Sequence, residues 1–148
     1  MRLSVRGLAG KPVRLDDALA DWRAEVVGRL TQADIDPVWH PPSDGVSHLL
    51  PARAFMQLTR ILREAVSNVI KHSAAKRCEV HCIVEDGNLR LRVRDDGRGI
   101  SADLQRGQGM SSMKRRAKQM AGQCLVESRP GLGVVISLTV PLLETGGT

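Results

Sequence analysis

Three polar side chains recur four residues apart near the middle of the chain: the carboxylate of Glu64, the carboxamide of Asn68 and the imidazole of His72. Residues with this spacing lie in a row along one side of an α-helix, because each residue turns the helix by about 100°. The row runs beside an apolar stripe made of Leu58, Ile61, Leu62, Ala65, Val66, Val69 and Ile70. Polar groups at the edge of a core are costly unless they are paired. The row therefore either lines a ligand pocket or lies on a solvent-exposed side of the helix next to its apolar face.

A second group of chemically capable residues follows a strand of regular alternation. In the segment 89–94 an apolar residue alternates with arginine, so the two kinds of side chain face opposite sides of the strand. Continuing the alternation places Asp95 on the apolar face and Asp96 on the outer face. Gly97 and Gly99 follow at once, and glycine allows the backbone to turn tightly and approach a ligand closely. This arrangement favours a ligand rich in hydrogen-bond donors on the inner face of the sheet.

The first part of the chain predicts a helix and an edge strand. After an irregular lead-in over residues 1–14, Asp16 is the predicted N-cap of a helix that ends near Gln32. A short strand is predicted at 36–40, and Pro37 suits the edge of a sheet because proline cannot donate to a central ladder. The buried face of the helix is predicted to consist of Leu15, Leu19, Trp22, Val26 and Leu30.

Two hairpins are predicted further along the chain. Strands at 78–84 and 89–95 flank an Asp-Gly pair at 86–87, which is a strong signal for a two-residue hairpin turn. A second hairpin is predicted from the segments 125–128 and 134–140. The helix that carries the polar row precedes the first hairpin, and Pro51 marks its approach.

Between the hairpins a helix is predicted over 110–121, with Gly122 as its C-cap. This order of elements predicts an α+β fold, a two-layer sandwich with helices on one face of a mixed, largely antiparallel sheet. We expect one domain over 15–142 and a tail at 143–148. The inward side of the helix is predicted to carry Met110, Met113, Ala117 and Met120. The opposite sheet face can stand in water because it carries Glu79, His81, Arg90, Arg92, Ser137 and Thr139.

The amino-acid composition of the chain indicates which classes of partner it can bind. The 148 residues include 42% hydrophobic and 26% charged residues, with a formal net charge of +6, and this length suits one domain with its own core. The sequence pI near 9.9 favours an anionic partner. The only aromatic side chains are Trp22, Trp39 and Phe55, too few for a platform that stacks bases. Because no nucleic-acid recognition motif occurs either, we predict no nucleic-acid partner.

The cysteines and the hydropathy pattern indicate the compartment. Three cysteines without a paired short spacing predict neither a disulfide framework nor a zinc site. Cys78 and Cys82 fall on the same strand face as Val80 and Val84, which predicts small buried apolar groups. No apolar run approaches the roughly 20 residues that span a bilayer, and the N-terminal residues lack the apolar region of a signal peptide. We therefore expect a cytoplasmic location and no membrane contact by this chain.

Taken together, these residues resemble the ATP-binding catalytic domain of sensor histidine kinases, within the superfamily that includes gyrase, the Hsp90 chaperones and the mismatch-repair ATPases. The segment 64–72 is similar to the asparagine box of that family. The segments 95–99 and 107–110 are similar to its first and second glycine boxes. The three boxes occur in order at compatible spacing, and the resemblance covers about residues 50–142. The form of the asparagine box, the brief lid and the segment 113–116 are most similar to the nitrate-sensor and lipid-desaturase-sensor subfamily.

The resemblance implies a role for each matching residue. Asp95 would accept a hydrogen bond from the adenine amino group, directly and through water. Asn68 would complete the coordination of a Mg²⁺ ion that bridges the ATP phosphates, an ion that prefers oxygen ligands. Glu64 would orient or deprotonate the attacking histidine of a partner domain. The remaining matching residues would serve the phosphates and the mobility of the lid: Lys71, His72, Gly97, Gly99, Gly107, Gly109 and the helix start at Met110.

Two departures from the family pattern qualify the expected function. Val134 stands where relatives usually carry threonine, which puts one small contact at the end of the sheet in doubt. None of the four histidines lies in the context of a phosphoacceptor. We therefore expect a catalytic fragment or separate subunit that transfers the γ-phosphate of ATP to a histidine on a dimerisation domain, which then passes it to a response regulator. The chain would be cytoplasmic or the cytosolic part of a membrane-bound sensor.

Two other functions stay open from the sequence. One is a serine kinase of the anti-sigma type, whose asparagine box is similar. The other is a regulatory module that binds a nucleotide without catalysis. The presence of both Glu64 and Asn68 argues against a pure binding module, because binding alone does not need a base.

Overall fold

The computed structural model describes residues 10–42, 48–98, 108–129, 131 and 133–143. Its helices are α1 (Leu15–Gln32), α2 (Ala52–Asn68) and α3 (Gln108–Gln119), and α2 continues into a π-helical turn at Val69–Ser73. Its strands are β1 (Val13–Arg14), β2 (Asp36–His40), β3 (Leu49–Leu50), β4 (Arg77–Glu85), β5 (Asn88–Asp95), β6 (Gln123–Arg129) and β7 (Gly133–Pro141).

Five of the strands form one mixed sheet in the order β2-β4-β5-β7-β6. The β2–β4 pair is parallel and the other three pairs are antiparallel. The three helices contribute apolar side chains to the same core as the sheet. The predicted α+β class, the largely antiparallel sheet and the edge position of β2 are confirmed. The short strands β1 and β3 pair separately, and Leu143 forms a bridge with Leu49.

Local sequence explains the central hairpin. Asp86 and Gly87 both have positive φ angles, 53° and 75°, and Glu85 pairs with Asn88 across the turn. Positive φ at both central residues defines a type I′ turn, whose twist matches that of the flanking strands. The register then places the inward apolar residues of both strands in the core, as the alternation predicts, whereas Ile83 of β4 points outward and is 50% exposed.

The core joins α1 to α2 through aromatic packing and a buried polar link. The rings of Trp22 and Phe55 stack with their centroids 5.7 Å apart. The indole Nε1–H of Trp22 donates to Thr59 Oγ1 at 2.9 Å, and this hydroxyl donates to the carbonyl of Phe55 at 2.7 Å. The link satisfies the polar atoms that burial would otherwise leave costly. All five residues predicted for the buried face of α1 are buried.

The predicted N-cap of α1 is wrong. Arg14 occupies the cap position in extended conformation, and its side chain makes no capping hydrogen bond. Asp16 lies inside the first turn, where its carboxylate accepts from the backbone N–H of Asp17 and from the guanidinium of Arg14. The helix begins earlier because β1 leads directly into it, and the N–H of Leu15 donates to the carbonyl of His48 at 3.0 Å.

The bounds of α3 also differ from the prediction. The helix begins at Gln108 and ends at Gln119, two residues before the predicted bounds at each end. At its C-terminus Ala121 has a φ of 58°, and the N–H of Gly122 donates to the carbonyl of Ala117 at 2.8 Å. This is a Schellman arrangement with alanine in the left-handed position, so Gly122 is not the left-handed residue of the cap. Gly122 is required for another reason, since a Cβ there would overlap the carbonyl oxygen of Thr139.

No helix in the described part of the chain combines enough length and apolar character to cross a membrane. The predictions for residues 1–9, 99–107 and 144–148 lie outside the described residues.

Candidate functional site

The carboxyl group of Asp95 lies at the inner end of β5. It is 3% exposed, as its place in the alternation predicts, whereas Asp96 is exposed. Asp95 Oδ1 accepts from the backbone N–H of Gly97 at 2.8 Å, and the N–H of Val134 also donates to this carboxyl group. Burial raises the pKa of Asp95 above its usual value, although the two backbone donors favour the charged form. The site thus holds a buried acceptor whose charge is only partly compensated.

Asn68, the last residue of α2, lies on the same cavity as Asp95. The small cavity, about 10 Å³, has room for about one water. Its lining consists of Ala65, Asn68, Val69, Val93, Asp95, Val134 and Ile136. The buried Nδ2 of Asn68 has no hydrogen-bond partner among the described residues. Because buried polar atoms are nearly always paired, this amide indicates a ligand or solvent at the cavity.

The row of three polar residues does not lie on one regular α-helix. Asn68 ends the α-helical part of α2, and Val69–Ser73 forms a wider π-helical turn that ends at Ala74 with a φ of 54°. Glu64 and Asn68 therefore lie in line on the regular α-helix, whereas the alignment of His72 with them stays a prediction. π-helical turns often occur at functional sites. Lys71 is exposed on this turn, and the side chain of His72 lies outside the described residues.

Glu64 is half-buried on the helix edge, and its neighbours in sequence are fixed to α1. The guanidinium of Arg63 makes a bidentate contact with Glu25, with Nε–Oε2 and Nη2–Oε1 distances of 2.8 Å. Arg29 donates to Ser67 Oγ at 2.8 Å and to the carbonyl of Arg63 at 3.2 Å. These contacts hold the turn of α2 that carries Glu64. Sequence reasoning missed this role of Arg63, Glu25 and Arg29, because the pairs are 34 to 38 residues apart.

Asp96 has a structural role that sequence reasoning did not identify. Its Oδ1 accepts from the backbone N–H groups of Lys76 and Arg77 at 2.8 and 3.0 Å. Burial alone would raise the pKa of Asp96, but the hydrogen bonds from Arg77 and Lys76 outweigh it and lower the pKa. Asp96 thus ties the beginning of β4 to the end of β5, next to the inward carboxyl of Asp95.

Gly133 is a second residue of the site that sequence reasoning missed. It begins β7 with a φ of +83°, and a Cβ at this position would overlap the backbone carbonyl oxygen of Asp95. The close approach brings the N–H of Val134 to the Asp95 carboxyl group. A signal was present in the glycine pair Gly131 and Gly133, but only the strand order shows which carboxylate the turn contacts.

The glycine boxes are described in part. Gly97 is buried and donates to Asp95. Gly99 and Gly107 lie outside the described residues, as does the side chain of Met110. The backbone of Gly109 and Met110 lies in the first turn of α3, where free N–H groups of a helix can face an anion.

The fold and this cavity define a class of protein. A family model described as histidine kinase-, DNA gyrase B- and HSP90-like ATPase matches residues 55–144. The chain belongs to this family of ATPases.

Relatives and solved structures agree with this assignment. The sensor histidine kinase LiaS of Bacillus subtilis is 39% identical over 87 residues, which cover 57% of this chain and 24% of that protein. The nitrate/nitrite sensor protein NarX of Escherichia coli K12 is 34% identical over 93 residues, which cover 62% of this chain and 16% of that protein. The catalytic domain of histidine kinase ThkA shares the fold, with a TM-score of 0.71 and 16% identity over 90% of this chain and 97% of that one. The chain spans about a quarter or less of the length of these curated relatives.

Proposed function

We propose that the chain is the ATP-binding catalytic domain of a two-component sensor histidine kinase. It transfers the γ-phosphate of ATP to a histidine on a dimerisation domain, which then phosphorylates a response regulator. The observation that carries the proposal is the meeting of Asp95 and Asn68 on one cavity. A buried carboxylate and a buried amide without a partner among the described residues correspond to two separate boxes of an ATPase family that the chain belongs to.

The Asp95 carboxylate selects adenine in this proposal. Its position at the inner end of β5 lets it accept from the exocyclic amino group, and the cavity has room for about one bridging water. A buried acceptor discriminates strongly, because a base that lacks the donor leaves it unpaired. Gly97 lets the backbone pass close to the base, and we expect Gly99 to do the same.

The phosphate end of the site is assigned to α2 and α3. The residues present fit a Mg²⁺ ion, because Asn68 offers a buried amide whose other end, Oδ1, is a hard oxygen donor. When bound, the ion would neutralise charge on the phosphates. Lys71 and His72 lie on the π-helical turn that follows Asn68 and would face the same phosphates. Gly107, Gly109 and Met110 would bring the beginning of α3 to the triphosphate.

We assign Glu64 to the phosphoryl-transfer step. It lies one helical turn before Asn68, on the edge that would face an approaching histidine, and its turn is held by the Arg63–Glu25 contact. A carboxylate in this position can orient the imidazole and accept its proton as the phosphoryl group transfers. We place the chain in the cytoplasm, where ATP and the response regulator are available.

The test uses the full chain with γ-labelled ATP and Mg²⁺. A separately produced dimerisation domain that carries the histidine and a serine-bearing substrate are supplied as acceptors in parallel. We expect acid-labile label on the histidine acceptor and none on the chain itself. Acid-stable label on serine would favour a serine kinase of the anti-sigma type, and ATP binding without any transfer would favour a regulatory module.

A further inference from the structure

Two histidines and a glutamate form a cluster on the outer face of the sheet, away from the nucleotide cavity. His40 is the last residue of the edge strand β2, and the parallel register places it opposite His81 of β4. Glu79 lies two residues before His81 and faces the same side. The rings of His40 and His81 stack at 4.1 Å with an angle of 8° between planes. His81 Nε2 lies 3.3 Å from Glu79 Oε2.

This cluster has the donor set of a transition-metal site. Each residue offers one ligand atom, and these three atoms lie within 4.8 Å of one another. Around a tetrahedral zinc ion with bonds of about 2.0–2.1 Å, neighbouring ligand atoms lie about 3.3 Å apart. Side-chain rotation must shorten these distances and turn the two rings out of their stacked arrangement, because an imidazole binds a metal in its ring plane. All three residues are at least partly exposed, so this rotation is possible while the paired strands fix their backbones. Two imidazoles and a carboxylate are typical zinc ligands.

The surroundings orient the carboxylate of Glu79. Its Oε1 pairs with the guanidinium of Arg77 at 2.9 Å, which leaves Oε2 directed toward His81. Arg92 pairs with His81 and Arg94 pairs with Glu79 across the β4–β5 ladder. Their positive charges repel a bound cation, so they lower the affinity of the cluster for it.

We propose that His40, Glu79 and His81 bind one zinc ion, which fastens the edge strand β2 to β4. The edge strand is otherwise held to the sheet by one parallel ladder that includes Pro37, a residue without a backbone donor. The ion adds a cross-link at the end of that ladder. This inference is independent of the proposed kinase function, because none of its three residues lies on the nucleotide cavity.

The test is isothermal titration of the full chain, produced without a histidine tag, with zinc chloride. The protein is freed of metal with a chelator and kept reduced with a phosphine, because dithiol reductants bind zinc. We expect one equivalent to bind in the absence of nucleotide. His40→Gln, His81→Gln and Glu79→Gln should each weaken binding by at least about tenfold. Millimolar Mg²⁺ should not displace the ion.

Glu85→Gln is the matched control. Glu85 lies on the same strand as Glu79 and likewise pairs with an arginine, Arg90, at 3.5 Å, but it is outside the cluster. This variant should keep full affinity for zinc. Circular dichroism establishes that each variant is folded. Absence of zinc binding by the unmodified chain, or unchanged binding by a His40→Gln/His81→Gln double variant, would overturn the proposal.

Discussion

Asp95 presents one carboxyl group both to the protein and to the cavity. Its Oδ1 is already engaged by the N–H of Gly97, so the interaction with a ligand depends on the remaining acceptor capacity. An asparagine side chain in its place would keep a carbonyl oxygen for Gly97 but would direct an amide donor elsewhere on the cavity. The substitution therefore keeps one acceptor for the backbone while it changes the group that we propose to recognise adenine.

Asp95→Asn should weaken ATP binding while the fold is retained. Loss of a buried acceptor costs about 1–3 kcal/mol, which corresponds to about 5- to 150-fold in affinity. Titration calorimetry measures the affinity, and thermal unfolding checks the fold. Asp96→Asn is the control, because Asp96 faces outward and the asparagine keeps an acceptor for Lys76 and Arg77. Equal affinity of the unmodified chain and the Asp95→Asn variant would refute the adenine role.

The raised pKa of Asp95 predicts a pH dependence of stability. Between the ordinary value of 3.8 and the raised value, the folded chain holds a proton that the unfolded chain has released. The contribution of this group is therefore full below the ordinary pKa and is lost as the pH rises through the raised pKa. The free energy of unfolding of the unmodified chain, relative to Asp95→Asn, should fall across this window.

The lowered pKa of Asp96 predicts the opposite dependence of stability on pH. The contribution of Asp96 is present above the ordinary carboxyl value and is lost as the pH falls through the lowered pKa. Urea unfolding at a series of pH values measures both effects. A stability difference between the unmodified chain and Asp95→Asn that rises with pH would show that the carboxyl of Asp95 is not destabilised by burial.

Substitutions of Glu64 and Asn68 are expected to have different effects, the first on phosphoryl transfer and the second on ATP binding. Glu64→Gln should keep ATP affinity within a few-fold and reduce phosphoryl transfer to a supplied dimerisation domain by about 10²–10⁴, the range for losing a general base. Asn68→Asp should instead change ATP affinity and its dependence on Mg²⁺, because it adds charge beside the phosphates. Calorimetry and single-turnover transfer measure the two effects. If Glu64→Gln loses binding but transfers normally per bound ATP, Glu64 is not the base.

At the scale of the elements, the site is built where β5, β7 and the end of α2 meet. Strand β7 can approach the backbone of Asp95 closely because Gly133 has no side chain, and a Cβ at this position would overlap the Asp95 carbonyl oxygen. Gly131, two residues earlier, has a similar φ of +80°, but a Cβ there meets no atom of the described residues within 4 Å. These two glycines therefore share a positive φ but differ in steric contact.

Gly133→Ala should destabilise the fold more than Gly131→Ala. The left-handed conformation costs a non-glycine residue about 1–2 kcal/mol at either position. At Gly133 the overlap with the Asp95 carbonyl adds to this cost, and we expect a further loss of about 1 kcal/mol or more. Urea unfolding with comparable m-values measures the difference. Equal losses for the two variants would show that β7 can move away from Asp95 without cost.

Local signals in the sequence predict the elements but not the contacts between them. The alternation of β5 was enough to place Asp95 inward, and the pair Asp86 and Gly87 was enough for the type I′ turn. The cap at Arg14 was not predictable, because it depends on pairing between β1 and β3. Likewise the left-handed Ala121 is an unfavourable local choice that tertiary packing imposes. The four-residue spacing did not predict the π-helical turn either, because that argument assumes a regular α-helix.

At the scale of the whole molecule, the cysteines report on global unfolding. Burial raises the pKa of Cys78 and Cys82 to about 12 and that of Cys124 to about 11. Burial therefore lowers the thiolate fraction of Cys78 and Cys82 in the folded chain, because it disfavours the charged form. Their prediction as buried apolar groups is confirmed.

Alkylation of Cys78 and Cys82 should therefore require unfolding. At pH 8 we expect negligible labelling by iodoacetamide in buffer and rapid labelling in denaturing urea, with mass spectrometry used to identify the modified residues. Cys124→Ser removes the half-buried thiol and simplifies the measurement. Rapid modification of Cys78 or Cys82 without denaturant would contradict the buried environment that the strand alternation implies.

The position of β5 in the sheet has a consequence for the energetics of ligand binding. This strand is the third of five and is hydrogen-bonded on both sides, to β4 and β7. Central strands usually exchange their amide hydrogens only through global opening. A ligand held by Asp95 therefore binds to the part of the chain that opens last. Its binding free energy would slow hydrogen exchange throughout the sheet and not only around the cavity.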